Sequence, residues 1–191
     1  MDAMVTKIVG NFVEKGIVSK KNKNIYEFGI KQGIVIIINL ITILLIGLIS
    51  GELWNLTIFT ISYLPLRSYA GGYHAESELG CYIFSTLMII AVVFASKFIV
   101  LDFHIVVVIL GLAVSVLMLF APLEDHRKPL DEMEVKVYRR KLRGRLLVEI
   151  LIITIGMYYW NGLFGMVVIA ILAIALMVLF GWINKKRRVT R

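Results

Sequence analysis

The sequence predicts an all-α polytopic membrane protein of about six transmembrane helices, preceded by an amphipathic helix at the membrane interface. Three observations predict this class. Hydrophobic residues make up 59% of the 191 positions and mean hydropathy is +0.85, while only 18% are charged, too few to cover a soluble domain of this size. Long apolar runs recur along the chain. Lysine and arginine are concentrated between alternate runs, as the positive-inside rule requires of cytoplasmic segments.

Residues 1–32 form an amphipathic and basic segment. Met1, Met4, Val5, Ile8, Val9, Phe12 and Val13 recur at three- and four-residue steps, with Asp2, Lys7, Asn11, Glu14 and Lys15 opposite them. That period predicts a helix lying in the interface or packed on the cytoplasmic end of a bundle. No apolar stretch here suits a secretory signal peptide. The first spanning run, Gly33–Ser50, has no charge over eighteen residues, near the length needed for a hydrocarbon core of ~30 Å. Ser50-Gly51-Glu52 reads as a tight turn. A second run, Leu53–Leu66, is short, contains Pro65 and ends at Arg67.

After the polar stretch 67–80, a third run covers Cys81–Val100 and a fourth Phe103–Leu123. Residues 123–145 read as a basic hydrophilic loop, with a helical stretch open over Asp131–Arg145. Leu146–Tyr159 and Leu163–Trp182 are the fifth and sixth runs, joined by Trp160-Asn161-Gly162, and residues 184–191 are a basic tail. The second and fifth runs are short enough to be re-entrant or tilted. Their polar residues, Thr60, Ser62 and Glu149 among them, require protein or a wet cavity around them. The whole chain reads as a single integral-membrane domain.

Charge sets the orientation. With both termini cytoplasmic, the inner segments hold 20 of the 21 lysines and arginines, and Lys97 alone lies outside. This puts residues 67–80 on the cytoplasmic side of a cell membrane. The net charge of +8 sits beside apolar runs, which assigns it to topology and anionic membrane lipid rather than to nucleic acid.

The stretch Pro65–Ser85, PLRSYAGGYHAESELGCYIFS, carries the chemistry. It includes the single cysteine, Cys81, and His74 seven residues before it. On one straight helix these would share a face but stand roughly 10 Å apart, too far for a thiol and an imidazole to exchange a proton. A bend is required. Gly71-Gly72 frees the backbone before His74, and Ser77 is placed to cap a helix whose first turn reaches Cys81. A helix N-terminus and a nearby histidine both favour the nucleophilic form of a cysteine.

Plainer readings stand beside this one. Cys81 fits as a small buried filler, His74 as an interfacial histidine, and Arg67 as a topogenic charge. Glu76 and Glu78 fit as solvated carboxylates, one of them placed to orient His74, and Gly71-Gly72 as a close-packing site. His104 and His126 lie in other segments. One cysteine and one neighbouring histidine do not make a metal site, and no cofactor is implied.

RSYAGGYHAESELGC resembles the signature region of the AgrB family, the accessory gene regulator proteins of Gram-positive bacteria. The Arg-x-x-x-Gly-Gly-x-His pattern, with cysteine seven residues after the histidine, carries the likeness. The size, the six apolar runs, the amphipathic N-terminus and the basic central loop extend it over the whole chain. The resemblance implies a membrane cysteine endopeptidase that cleaves an AgrD-like precursor of a cyclic autoinducing peptide. Cys81 would be its nucleophile and His74 its general base, with Arg67, Gly71 and Gly72 as motif positions.

A peptide exporter and a non-enzymatic scaffold are the rival classes, and a homodimer stays open. An exporter needs polar residues at mid-bilayer on several spans, and the runs offer chiefly Asn39, Thr42, Ser115 and Thr154. The basic cluster Arg139, Arg140 and Lys141 is a candidate docking surface for an acidic stretch of the precursor. Replacing all three with alanine should raise apparent KM at low salt, an effect that fades as ionic strength increases. Unchanged kinetics at low salt would remove electrostatic docking.

Overall fold

In a computed structural model, the structure describes residues 2–73, 78–98, 102–123, 130–159 and 163–189. Seven α-helices follow in order: α1 (Asp2–Glu14), α2 (Lys23–Ser50), α3 (Leu53–Ala70), α4 (Glu78–Phe98), α5 (Phe103–Phe120), α6 (Glu132–Tyr159) and α7 (Leu163–Val189). No strand occurs among the described residues, only an isolated bridge between Gly71 and Leu123. The all-α membrane class holds. Four helices are long and apolar enough to cross a bilayer, namely α2, α4, α5 and α7, so hydropathy supports four of the six expected spans. The contacts divide the chain into two units, residues 1–45 and 46–191.

In the first unit, α1 forms over the amphipathic repeat and ends at Gly16, whose φ of +71° suits a glycine-terminated helix. The Ile17 amide donates back to the Phe12 carbonyl at 2.9 Å. Lys20–Asn22 make one 3-10 turn before α2 begins at Lys23, ten residues ahead of the apolar run.

In the second unit, α7 is the hub, packing against α3, α4, α5 and α6. From Leu163 to Ile183 its sequence is apolar on every side, the composition of a helix surrounded by protein or lipid. Val168, Ile171, Ile174 and Val178 are fully buried. Against it lies α3, whose buried residues Leu56, Phe59, Tyr63, Leu66 and Ala70 recur at helical spacing along one stripe. The expected turn at Ser50-Gly51-Glu52 is present, with Gly51 at φ +74°. Lys97 Nζ donates to the Ser50 carbonyl at 2.9 Å, tying the end of α4 to that turn.

Within residues 123–145, the helical stretch left open over Asp131–Arg145 forms from Glu132, and residues 124–129 lie outside the described residues. That helical stretch is the first half of one continuous α6 that runs on through the fifth apolar run. Asp131 caps it reciprocally: its Oδ1 accepts from the Glu134 amide at 2.6 Å, and Glu134 Oε2 accepts from the Asp131 amide at 3.2 Å. That is a capping box built on Asp. Hydrophilicity favoured a loop, yet the acidic first turn and basic following turns suit a helix in water.

The polar residues inside the apolar runs are satisfied locally. Asn39, Thr42, Ser115 and Thr154 each donate to the carbonyl four residues earlier on their own helix, as does Thr60. Ser62 is different. Its hydroxyl reaches across to Glu149 Oε2 at 3.2 Å, and Glu149, with no exposed surface, pairs with Arg145 at 2.8 Å. Pro65 explains where the arginine goes. A proline within a helix leaves the carbonyl four residues earlier without its amide partner, here that of Ile61. Arg145 Nη2 donates to that same carbonyl at 3.2 Å.

One guanidinium therefore serves the proline-freed carbonyl of α3 and the buried carboxylate of α6. Arg145→Met should lower stability by about 1–3 kcal/mol, because it leaves both acceptors short of a donor. Two changes should each shrink that loss: Pro65→Ala, which restores an amide to Ile61, and Glu149→Leu, which removes the buried carboxylate. Unfolding of the detergent-solubilised variants gives the measurement.

Candidate active site

The candidate site is built at the end of α3, where a glycine pair turns the chain. Gly71 and Gly72 have φ of +69° and +129°, values that side chains disfavour. Space excludes a side chain as well. A Cβ on Gly71 would meet the Leu123 carbonyl oxygen, and one on Gly72 would run into Arg67 Nη1 and come within 3.2 Å of the Met177 carbonyl. The Gly-Gly bend expected from the sequence is therefore present, and it is also a close-packing site.

Arg67, in the last turn of α3, holds the bend. Its Nη1 donates to the Gly71 carbonyl at 2.5 Å and its Nη2 to the Tyr73 carbonyl at 2.7 Å. A topogenic charge would point to water; this one closes a loop onto its own helix. The Ala70 carbonyl accepts from the Leu123 amide at 2.9 Å, which pins the end of α3 to the residue that follows α5. The Tyr73 amide donates to the Met177 carbonyl of α7 at 2.9 Å. A carbonyl has two lone pairs, so a residue within a helix can still accept from outside it.

Gly181 makes that approach possible. One turn beyond Met177, its missing Cβ would stand 2.8 Å from the Tyr73 nitrogen and 3.0 Å from the Gly72 carbonyl carbon, and would overlap the Leu123 side chain. Sequence reasoning gave no role to Gly181, Tyr73, Met177 or Leu123. A glycine in an apolar run is common in membrane helices and does not declare its neighbour.

His74 and Glu76, together with the proposed cap Ser77, lie outside the described residues. Glu78 is the first residue of α4, though its side chain is not described. Cys81, a free thiol of intermediate exposure, is the fourth residue of α4 and so completes its first turn. Tyr63, buried on α3, stacks on Phe59 with ring centroids 5.1 Å apart, and the Tyr73 ring meets that of Phe84, three residues after Cys81 on α4, at 5.4 Å. The structure thus relates Arg67, Gly71, Gly72 and Cys81 to one end of the α3–α4–α7 contact.

The basic half of α6 reaches the same end of α3. Tyr138 meets Tyr69 edge-on at 6.2 Å, and Lys141 Nζ lies over the Tyr69 ring at 5.5 Å. Arg139 and Arg140 are exposed beside them.

Known proteins resemble this chain along most of its length. A family model, accessory gene regulator B, matches residues 4–183. A Clostridium perfringens (strain 13) protein provisionally named AgrB-like protein 2 is 26% identical over 169 residues, which are 83% of this chain and 79% of that protein. A provisionally named AgrB-like protein of C. perfringens strain SM101 is 28% identical, covering 73% of this chain and 70% of its own. A similarly named protein of Listeria monocytogenes EGD-e is 32% identical, over 65% and 62% of the two chains. No solved structure matches.

Gly181→Ala should push the Gly72–Tyr73 backbone off α7. A loss of about 1–3 kcal/mol is expected from overpacking, together with faster maleimide labelling of Cys81 as the segment loosens. Gly111→Ala, where a Cβ meets nothing within 4 Å, serves as the control and should be neutral or slightly stabilising.

Proposed function

The chain belongs to the AgrB family, and on that premise we propose that it is a membrane cysteine endopeptidase acting on an AgrD-like precursor of a quorum-sensing peptide. The observation that most supports this is the position of Cys81 in the first turn of α4, the next described helix after the bend that Arg67 and α7 anchor at the end of α3. A nucleophile presented at a helix N-terminus suits acyl transfer.

In this reading His74 takes the thiol proton and Cys81 Sγ attacks one peptide carbonyl of the precursor. The tetrahedral intermediate collapses with cleavage of the C–N bond. The proton held by His74 passes to the departing amine, and the retained peptide stays on Cys81 as a thioester. Attack by a thiol within that peptide releases a thiolactone, and attack by a hydroxyl releases a lactone. Either way the Cys81 thiol is regenerated. A site at the membrane edge limits competition from water for the thioester.

The charge distribution supports a cytoplasmic position for this site, where a newly made precursor would reach it. The basic face of α6 beside Tyr69 suits an acidic stretch of the substrate. An exporter has less in its favour: Asn39, Thr42, Ser115 and Thr154 direct their polar hydrogens to carbonyls of their own helices.

Purified protein in liposomes should cleave an AgrD-type precursor and yield a covalent peptide adduct on Cys81. Cys81→Ala and His74→Ala should each reduce cleavage by at least about 10²-fold. Cleavage that persists in Cys81→Ala would overturn the mechanism.

A further inference from the structure

A recess of about 250 Å³ opens beside the candidate site, lined by Tyr73, Phe84, Phe180, Ile183, Asn184 and Arg187. Pockets that enclose a whole small ligand measure roughly 300–1,000 Å³, so this one suits a single side chain. It adjoins both arms of the candidate dyad through the chain itself. Tyr73 immediately precedes His74, and Phe84 is three residues after Cys81 on α4, a spacing that puts the two side chains on neighbouring positions of one face.

The walls are pre-formed. Tyr73 is held at both backbone atoms, its amide on Met177 and its carbonyl on Arg67, and its ring leans on Phe84 with centroids 5.4 Å apart. Phe180 and Ile183 come from α7, one turn apart, and both are exposed. Asn184 and Arg187 add polar groups toward the basic end of that helix. The recess is thus an apolar slot with a polar side, next to where a peptide carbonyl would meet Cys81. A longer, wholly apolar groove continues from Phe84 and Phe180 between α4 and α7.

Resting on the acyl-transfer reading above, we propose that this recess is the subsite for the residue whose carbonyl Cys81 attacks, and that it selects a large apolar side chain. That residue becomes bonded to Sγ, so its side chain must sit within about a helical turn of Cys81, where Phe84 is. The leaving segment has no such tether. A lipid acyl chain is the competing occupant, suited to the longer groove. The recess differs from that groove in having Asn184 and Arg187 beside its apolar wall, which fits a peptide with polar backbone next to the bound side chain.

The test uses the full-length protein in liposomes and peptidyl chloromethyl ketones with Gly, Ala, Leu or Phe at the carbonyl-bearing position. Alkylation of Cys81 is followed by intact mass and normalised to the rate with iodoacetamide. The Leu and Phe probes should react about tenfold or more faster than the Gly probe. Ile183→Trp, which fills the recess, should reduce that preference to about threefold or less while iodoacetamide reacts as before. Phe180→Ala, which widens it, should favour Phe over Leu.

Bilayer partition of the larger probes is common to all the proteins, so the change between variants is the readout. A flat order among the probes, or an order that both variants leave unchanged, overturns the subsite; the latter is the outcome expected of lipid in the recess. Failure of the acyl-transfer reading looks different, since precursor cleavage would then survive Cys81→Ala.

Discussion

The bend at the end of α3 depends on one backbone contact, the Tyr73 amide on the Met177 carbonyl. It brings an extended segment directly onto a helix, which is possible only where neither surface carries a Cβ. Gly72 supplies that condition on the segment and Gly181 on α7. Arg67 then closes the loop from the other side by donating to carbonyls on both flanks of Gly72. These contacts satisfy backbone groups that the turn would otherwise leave unpaired between packed helices, where an unmade hydrogen bond is costly. The direction in which the chain leaves toward residue 74 is therefore set by α3 and α7 together.

A second polar tie holds the neighbouring pair of helices. Pro65 removes an amide from α3, and Arg145 of α6 donates to the carbonyl thus freed. Glu149 balances the arginine and takes the Ser62 hydroxyl. Each group would be a liability alone in an apolar interface. Together they relate the rotation of α6 to that of α3, because a hydrogen bond is directional and an apolar contact is not. The same rotation presents Tyr138 and Lys141 to Tyr69, two residues after Arg67. The basic face of α6 and the bend at the end of α3 are thus parts of one mechanical unit.

Much of this was legible in the sequence, but unevenly. The apolar runs behind α2, α4, α5 and α7 announce themselves by length and lack of charge. The Gly71-Gly72 pair marks the bend in the sequence itself, and Cys81 falls in the first turn of α4, within the expected range. The α6 helix was harder, because the hydrophilic half of a long helix looks like a loop when apolarity is the guide. Partners distant in sequence were hidden altogether. Nothing local to Gly181 says that Tyr73 will rest on it, and nothing local to Pro65 says that a side chain eighty residues later will serve Ile61. In the sequence Arg67 reads as a topogenic charge or a motif position of open role; its task is visible only with the carbonyls it holds.

Hydropathy and packing also answer different questions about α3 and α6. Hydropathy asks whether a helix could face lipid on all sides, and these two could not. Packing gives each of them two kinds of face. Trp54, Ile61 and Leu64 of α3 and Leu147, Leu151 and Ile155 of α6 are exposed and apolar, whereas Ser62 and Glu149 are buried between the helices. Polar groups are tolerated at membrane depth when protein encloses and satisfies them. The low hydropathy of α3 and α6 is thus what their position demands. They carry the proline and the ion pair that tie them to each other and the arginine that holds the bend, and the apolar length of α7 gives that polar pair an ordinary membrane helix to pack against.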